Sequence, residues 1–159
     1  MIDLSTEYMG LKLKNPLMVA SCGLTGTADS IRTLEKCGAA AIVLKSIFEE
    51  EILLEANQQI QDAQKNPLIY SGLSETLDYI DLHIREENLG KYLELISEAK
   101  KEVSIPILGS INCVSQEDWM YFAKKIEDAG ADALELNLFL NPADTENKEF
   151  EKAYFKIVE

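Results

Sequence analysis

One histidine, three cysteines and four prolines in 159 residues leave little material for several common chemistries. A lone His83 removes most histidine-based catalytic arrangements and every multi-histidine metal site. It lies in an acidic, loop-like stretch and reads as a solvated surface residue. Cys22, Cys37 and Cys113 are odd in number, far apart and without a CxxC pair, so neither a disulfide framework nor a zinc site is expected. No stretch approaches the roughly 20 uninterrupted apolar residues of a membrane helix. The start, Met1-Ile-Asp-Leu-Ser-Thr-Glu, lacks the basic and apolar segments of a secretion signal. A cytoplasmic protein in a reducing compartment, with no membrane contact, is the expectation. Basic residues are scarce too: 15 against 28 acidic ones give a net charge of −13. With no basic cluster to offset that charge, nucleic acid is excluded as a partner. No Gly/Ser linker or low-complexity run divides the chain, so residues 1–159 read as one domain.

What is present is a repeating order of short apolar runs and amphipathic stretches. Pro16-Leu-Met-Val-Ala20 predicts a strand, followed by the loop Ser21-Cys-Gly-Leu-Thr-Gly-Thr27. From Asp29 to Cys37 the apolar residues Ile31, Leu34 and Cys37 have helical spacing, with Gly38 as a stop. Ala39 to Leu44 is a continuous apolar run of the kind a strand buried on both faces shows. The unit recurs as a helix over 89–102, a strand over 106–112, a helix from about Gln116 to Ala129 stopped by Gly130, and a strand over 132–137. A last helical stretch covers about 148–158, and Phe48 to Gln64 is rich in helix formers. Residues 66–82, containing Asn66-Pro67 and Ser71-Gly72, read as an irregular excursion.

Four strands alternating with helices predict a parallel α/β sheet with right-handed crossovers. A doubly wound sheet would be complete at this length, but no GxGxxG turn follows the first strand and no GxxxxGK[ST] exists anywhere. A (β/α)8 TIM barrel needs about 250 residues and would here be cut in half. In a barrel chemistry collects at the C-terminal strand ends, and these deliver Ser21-Cys22-Gly23, Lys45-Ser46, Gly109-Ser110-Ile111-Asn112 and Glu135-Leu136-Asn137. Small, amide and ammonium groups suit hydrogen bonding to a flat heteroaromatic better than ester or phosphate cleavage.

Lys45 continues an apolar strand, where its ammonium would be partly desolvated and could stabilise negative charge; the alternative is a lysine reaching into water. Asn112 and Asn137 offer donors and acceptors to a ring edge, or serve as turn residues. Glu135 shares strand parity with Asn137 and is expected to pair with a lysine or backbone amides beneath the site. Gly23 and Gly109 would allow a ligand close to the backbone, or simply make turns. Cys22 and Cys113 read as inert small hydrophobes. Trp119, Phe122, Ala123 and Ile126 read as core.

These segments, Asn15-Pro-Leu-Met-Val-Ala-Ser21, Lys45-Ser46, Pro106-Ile-Leu-Gly-Ser-Ile-Asn112 and Ala133-Leu-Glu-Leu-Asn137, resemble in order and spacing the first four strands of dihydroorotate dehydrogenases. The resemblance covers nearly the whole chain. It implies the N-terminal half of an FMN-binding TIM barrel, an oxidoreductase acting on dihydroorotate or a related dihydropyrimidine, with a homodimeric parent. It further implies that Ala20, Ser21 and Gly23 line the flavin through their backbone. Lys45 and Ser46 would touch flavin and substrate, and Asn112 and Asn137 would hydrogen-bond the flavin and the pyrimidine. In the family a base removes one proton while the flavin accepts a hydride.

Three departures stand out. After the fourth strand the family's soluble class has Asn-Leu-Ser-Cys-Pro-Asn with a catalytic cysteine, whereas Asn137-Leu-Phe-Leu-Asn-Pro142 places Leu140, or Phe139 in a shifted register, where the base belongs. Neither accepts a proton, and no catalytic base is assigned. Tyr70-Ser-Gly-Leu-Ser-Glu-Thr76 resembles the substrate loop without its asparagines. The barrel's second half, with its phosphate-binding glycine-rich loops, is absent from this sequence. Alternatives are a flavin- or nucleotide-binding fragment without dehydrogenase activity, a half-barrel that self-associates through its open edges, and a Schiff-base barrel using Lys45.

Overall fold

Leu11 and Leu13 alternate with polar neighbours, and Met9-Gly10 precedes them; together they make an N-terminal hairpin. The two antiparallel strands, β1 (Thr6–Tyr8) and β2 (Leu11–Leu13), are joined by Met9 and Gly10 at φ 51° and 77°. Positive φ at both central residues is the geometry that matches the twist of a two-residue hairpin. The sequence reading had not anticipated this hairpin. The computed structural model describes residues 2–48, 58, 73–112 and 116–138.

The main sheet is parallel throughout. It contains β3 (Met18–Val19), β4 (Ala41–Val43), β5 (Ile47–Phe48), β6 (Ile107–Asn112) and β7 (Ala133–Leu136). Both β4 and β5 pair with one edge of β6, and β7 pairs with it as well. Between them run a short 3-10 turn (Gly23–Thr25), α1 (Ala28–Lys36), α2 (Leu73–Glu102) and α3 (Gln116–Asp128). The expected alternation is therefore present, with strand ends moved by a residue or two.

Two helices end as their glycines predict. Gly38 (φ 106°) and Gly130 (φ 96°) adopt the left-handed conformation after α1 and α3. Their N–H groups bond Glu35 and Glu127 carbonyls, while Ala39 and Ala131 reach back to Leu34 and Ile126. This paired closure satisfies carbonyls that would otherwise be orphaned.

Alternation along β6 sorts the core into two layers. Ile107 and Ile111 face the helices and pack with Ile31, Ile42, Leu44, Ile96, Phe122 and Ile126. Leu108 faces the other way and joins Ala41, Val43 and Leu13 of the hairpin. Leu89, Tyr92, Ile96 and Ala99 of α2 are buried, as are Trp119, Phe122 and Ile126 of α3.

Several expectations need correction. Helix α2 begins at Leu73, so the second half of the supposed irregular excursion is helical and His83 lies in a helix rather than a loop. Residues 73–88 contain no glycine or proline and are rich in helix formers, which outweighs their lack of a clean apolar stripe. Phe48, where the helical stretch was expected to begin, instead ends β5 (Ile47–Phe48). Gly109 does not face a ligand: a Cβ there would sit 2.6 Å from Ile126 Cγ2, so it permits close packing of α3. Cys22 and Cys37 are exposed rather than buried. Cys113, Leu140, Phe139 and the 148–158 helix lie outside the described residues, as does most of 49–72.

Glu35 illustrates how charge ties these layers. Its carboxylate accepts the Ser104 backbone N–H at 2.9 Å and the Ser104 hydroxyl at 2.8 Å. The backbone bond is the main reason its pKa lies below the ordinary 4.5. A lowered folded-state pKa means the stabilisation is present above the ordinary value and disappears as pH falls through the folded value. Melting temperatures of the native chain and Glu35→Gln, measured from about pH 6 down to about pH 3, should therefore differ most at the upper end and converge at the lower.

Candidate functional site

The strand ends of β3, β4 and β7 meet around one open cavity of about 590 Å³, lined by Ala20–Gly23, Lys45, Ser46 and Glu135–Asn137. That volume falls within the range of small-molecule and cofactor sites, roughly 300–1,000 Å³. Of the residues expected to bind a cofactor, Ala20, Ser21, Gly23, Lys45, Ser46 and Asn137 line it. Asn112 ends β6 on the same face as Ser110 by alternation but is not part of the lining. Cys22, Glu135 and Leu136 complete the wall.

A local irregularity places two polar residues here. Val43 is opposite Leu108, yet Ile47 is opposite Ile111. Leu44, Lys45 and Ser46 thus span what Gly109 and Ser110 span on the partner, and the extra residue is a β-bulge. Leu44 packs toward the helices. Both Lys45 and Ser46 then line the cavity, which strict alternation would forbid.

The bulge has a cost that Tyr92 offsets. Even-numbered β6 residues bond toward β4, as the Leu44 N–H to Leu108 carbonyl bond at 2.9 Å shows. At Ser110 the bulge removes that partner. The buried Tyr92 hydroxyl takes its place, accepting from the Ser110 N–H at 2.8 Å and donating to the Ser110 carbonyl at 3.2 Å. Burial, with the nearby Glu135 charge adding to it, pushes the Tyr92 pKa up to about 12.

Hydroxyls connect the strand ends below the cavity. Ser21 Oγ and Ser46 Oγ lie 3.0 Å apart, and the Ser46 N–H donates to Ser21 Oγ at 3.0 Å. Ser46 Oγ lies 2.7 Å from Ser110 Oγ, which donates to Glu135 Oε1 at 2.7 Å. The partner of Glu135 is therefore a serine, not the lysine or backbone amides expected. Lys45 is exposed, so the predicted desolvation does not occur. Among the described residues it is nonetheless the only cation lining the cavity. Ser110, completely buried, was not singled out from sequence; its parity with Asn112 was the available signal.

Among the described residues no group of three or more His, Cys, Asp or Glu could hold a metal, and no helix is long and apolar enough to cross a membrane.

Parallel strands that deliver hydroxyl, amide, carboxylate and ammonium groups to one cavity at their C-terminal ends define an α/β protein with a candidate site where such folds place their chemistry. A family model described as dihydroorotate dehydrogenase matches residues 3–144, and the chain belongs to that family. It is 34% identical over 139 residues to a Thermoplasma volcanium protein named dihydroorotate dehydrogenase B (NAD(+)), catalytic subunit, covering 87% of this chain and 42% of that one. A Thermoplasma acidophilum protein of the same name is 31% identical over 138 residues, with 87% and 42% covered. A putative dihydroorotate dehydrogenase A (fumarate) of Aeropyrum pernix is 27% identical over 139 residues, with 86% and 41% covered. The chain thus spans about two fifths of the length of these curated relatives.

Proposed function

We propose that this chain is the N-terminal half of an FMN-dependent oxidoreductase that oxidises dihydroorotate or a related dihydropyrimidine. In this reading the parallel sheet is the first half of a (β/α)8 barrel. The cavity at its strand ends would be one wall of the flavin and substrate site. The observation that carries the reading is this convergence of Ala20, Ser21, Gly23, Lys45, Ser46 and Asn137 on one cavity in a chain of this family.

The lining fits the flat ring of a flavin. A Cβ on Gly23 would meet no protein atom within 4 Å, so space over that backbone is open to a ring plane. Asn137 offers both donor and acceptor, and Lys45 can stabilise negative charge on a ring or a carboxylate. When bound, the flavin supplies a two-electron acceptor for hydride. The chain's own residues bind and orient the ring and the substrate, and Lys45 and Asn137 are the substrate contacts. Asn112 would join them only at the margin of the ring. The parent would act as a homodimer, and its relatives' description as catalytic subunits supports assembly with a further subunit.

Incubation with FMN, desalting and a visible absorption spectrum tests the reading. The native chain should retain the flavin bands, and Lys45→Ala should weaken binding about tenfold or more, the loss expected for one charge-assisted hydrogen bond. Absence of retained flavin in the native chain would overturn the reading for this chain by itself. Leu140, where the family has a base, favours a second reading, a flavin-binding fragment without turnover. Retained flavin that dihydroorotate cannot reduce would support it.

A further inference from the structure

We propose that Glu135, which lines the cavity together with Ser21, is the proton acceptor of this site, and that a directed relay of the Ser21, Ser46 and Ser110 hydroxyls carries protons to it from the Ser21 end of the cavity. The inference rests on the cavity being the ligand site proposed above. It supplies a route for proton removal where position 140 provides none.

The hydrogen-bond directions fix the polarity. Ser110 has one hydroxyl proton and gives it to Glu135 Oε1. Ser46 must therefore donate to Ser110 Oγ. The Ser46 N–H occupies one lone pair of Ser21 Oγ, and Ser21 in turn donates to Ser46 Oγ. All three hydroxyl protons point toward the carboxylate, through separations of 3.0, 2.7 and 2.7 Å that lie in the hydrogen-bonding range. Ser21 retains a lone pair at the cavity wall.

Proton transfer along this path balances without any redox partner. A ligand C–H or N–H bond breaks as its proton joins Ser21 Oγ, leaving the bonding pair on the ligand. Ser21 passes its own proton to Ser46, Ser46 to Ser110, and Ser110 to Glu135. The carboxylate becomes a carboxylic acid, and all three hydroxyls reverse direction. Return of the proton restores the starting state.

Among the described residues the other titratable groups of the lining are Lys45 and Cys22, with Tyr92 behind Ser110. An ammonium has no acceptor lone pair. Tyr92 holds the Ser110 backbone and is not part of the cavity lining. Cys22 is the competing acceptor, and its thiol joins none of these bonds.

Two measurements decide the matter. In the ligand-free chain, nuclear magnetic resonance of the buried Ser46 and Ser110 hydroxyl protons should show that both exchange with solvent in concert. Glu135→Gln should slow both, and Ser21→Ala should slow both while leaving the carboxylate in place. In the FMN-loaded chain, deuterium entry from heavy water into the dihydroorotate C–H beside its ring carbonyl should fall on the order of 10²-fold in Glu135→Gln, the usual scale for general base catalysis. Flavin retention and dihydroorotate binding are measured on the same samples. If the native chain binds neither, the proposed function fails and the hydroxyl exchange alone decides the relay. If binding persists and deuterium entry is unchanged in Glu135→Gln, or is lost only in Cys22→Ser, the relay is overturned. Exchange of the two hydroxyls independently of Glu135 would overturn it as well.

Discussion

Tyr92→Phe is expected to destabilise the chain by about 2–5 kcal/mol, although it removes a single oxygen. That oxygen satisfies both the N–H and the C=O of Ser110, in a residue with no exposed surface. Each buried backbone group left without a partner costs about 1–3 kcal/mol, and the bulge keeps strand partners out of reach. Denaturant titration of the two proteins measures the difference, and faster hydrogen exchange at the Ser110 amide would locate it. The native protein should also show the ionisation of a buried phenol. With the folded pKa raised to about 12, the unfolded chain loses its phenolic proton first. Stability contributed by Tyr92 is therefore intact below the ordinary value near 10 and falls as pH rises toward the folded value. Tyr92→Phe should lack that alkaline decline. Equal stability of the two proteins at neutral pH would show that the ladder is repaired in some other way.

Gly109→Ala is the second large effect, expected to cost about 1–3 kcal/mol as an overpacked core. The added Cβ would approach Ile126 Cγ2 to 2.6 Å, with Ile126 Cδ1 and Leu134 Cδ1 at 3.5 Å. Ile126 is 1% exposed and has no room to retreat. The test is a double-mutant cycle. Ile126→Ala alone should cost about 2–5 kcal/mol through the cavity it leaves. Combined with Gly109→Ala it should cost less than the two effects added, because the new methyl occupies part of that space. Strict additivity would mean that α3 shifts away from the sheet instead.

Much of this architecture was written in local patterns. Continuous apolar runs such as Ala39 to Leu44 marked buried parallel strands, and Gly38 and Gly130 marked helix ends because few other residues adopt their backbone conformation. The polar strand ends contained eight of the nine residues that line the cavity, and the family resemblance added the ninth, Ala20. What remained hidden depends on register. Nothing in Leu44-Lys45-Ser46 announces an extra residue relative to Gly109-Ser110, since a bulge is defined only against its partner strand. Glu135 was placed on the correct face by alternation, but a partner 25 residues away, Ser110, could not be chosen without that register. The role of Gly109 was misassigned for a similar reason: only the approach of Ile126 distinguishes a packing glycine from a ligand-facing one. Lys45 was expected to be desolvated because it continues an apolar strand; it is exposed instead, at the wall of an open cavity.

The single surplus residue between Val43 and Ile47 also divides the labour within the sheet. On the Val43 side the strand behaves as scaffold, with its rungs closed and its side chains committed to packing. Beyond the bulge the phase of the alternation is reset, and Ile47 returns to the helix layer while Ser46 stays on the opposite face. Substitutions before that point are answerable to the core, and those at Lys45 and Ser46 to whatever occupies the cavity. A one-residue deletion there would mend the sheet and erase the boundary, leaving a better-formed strand with no separate place for its polar residues.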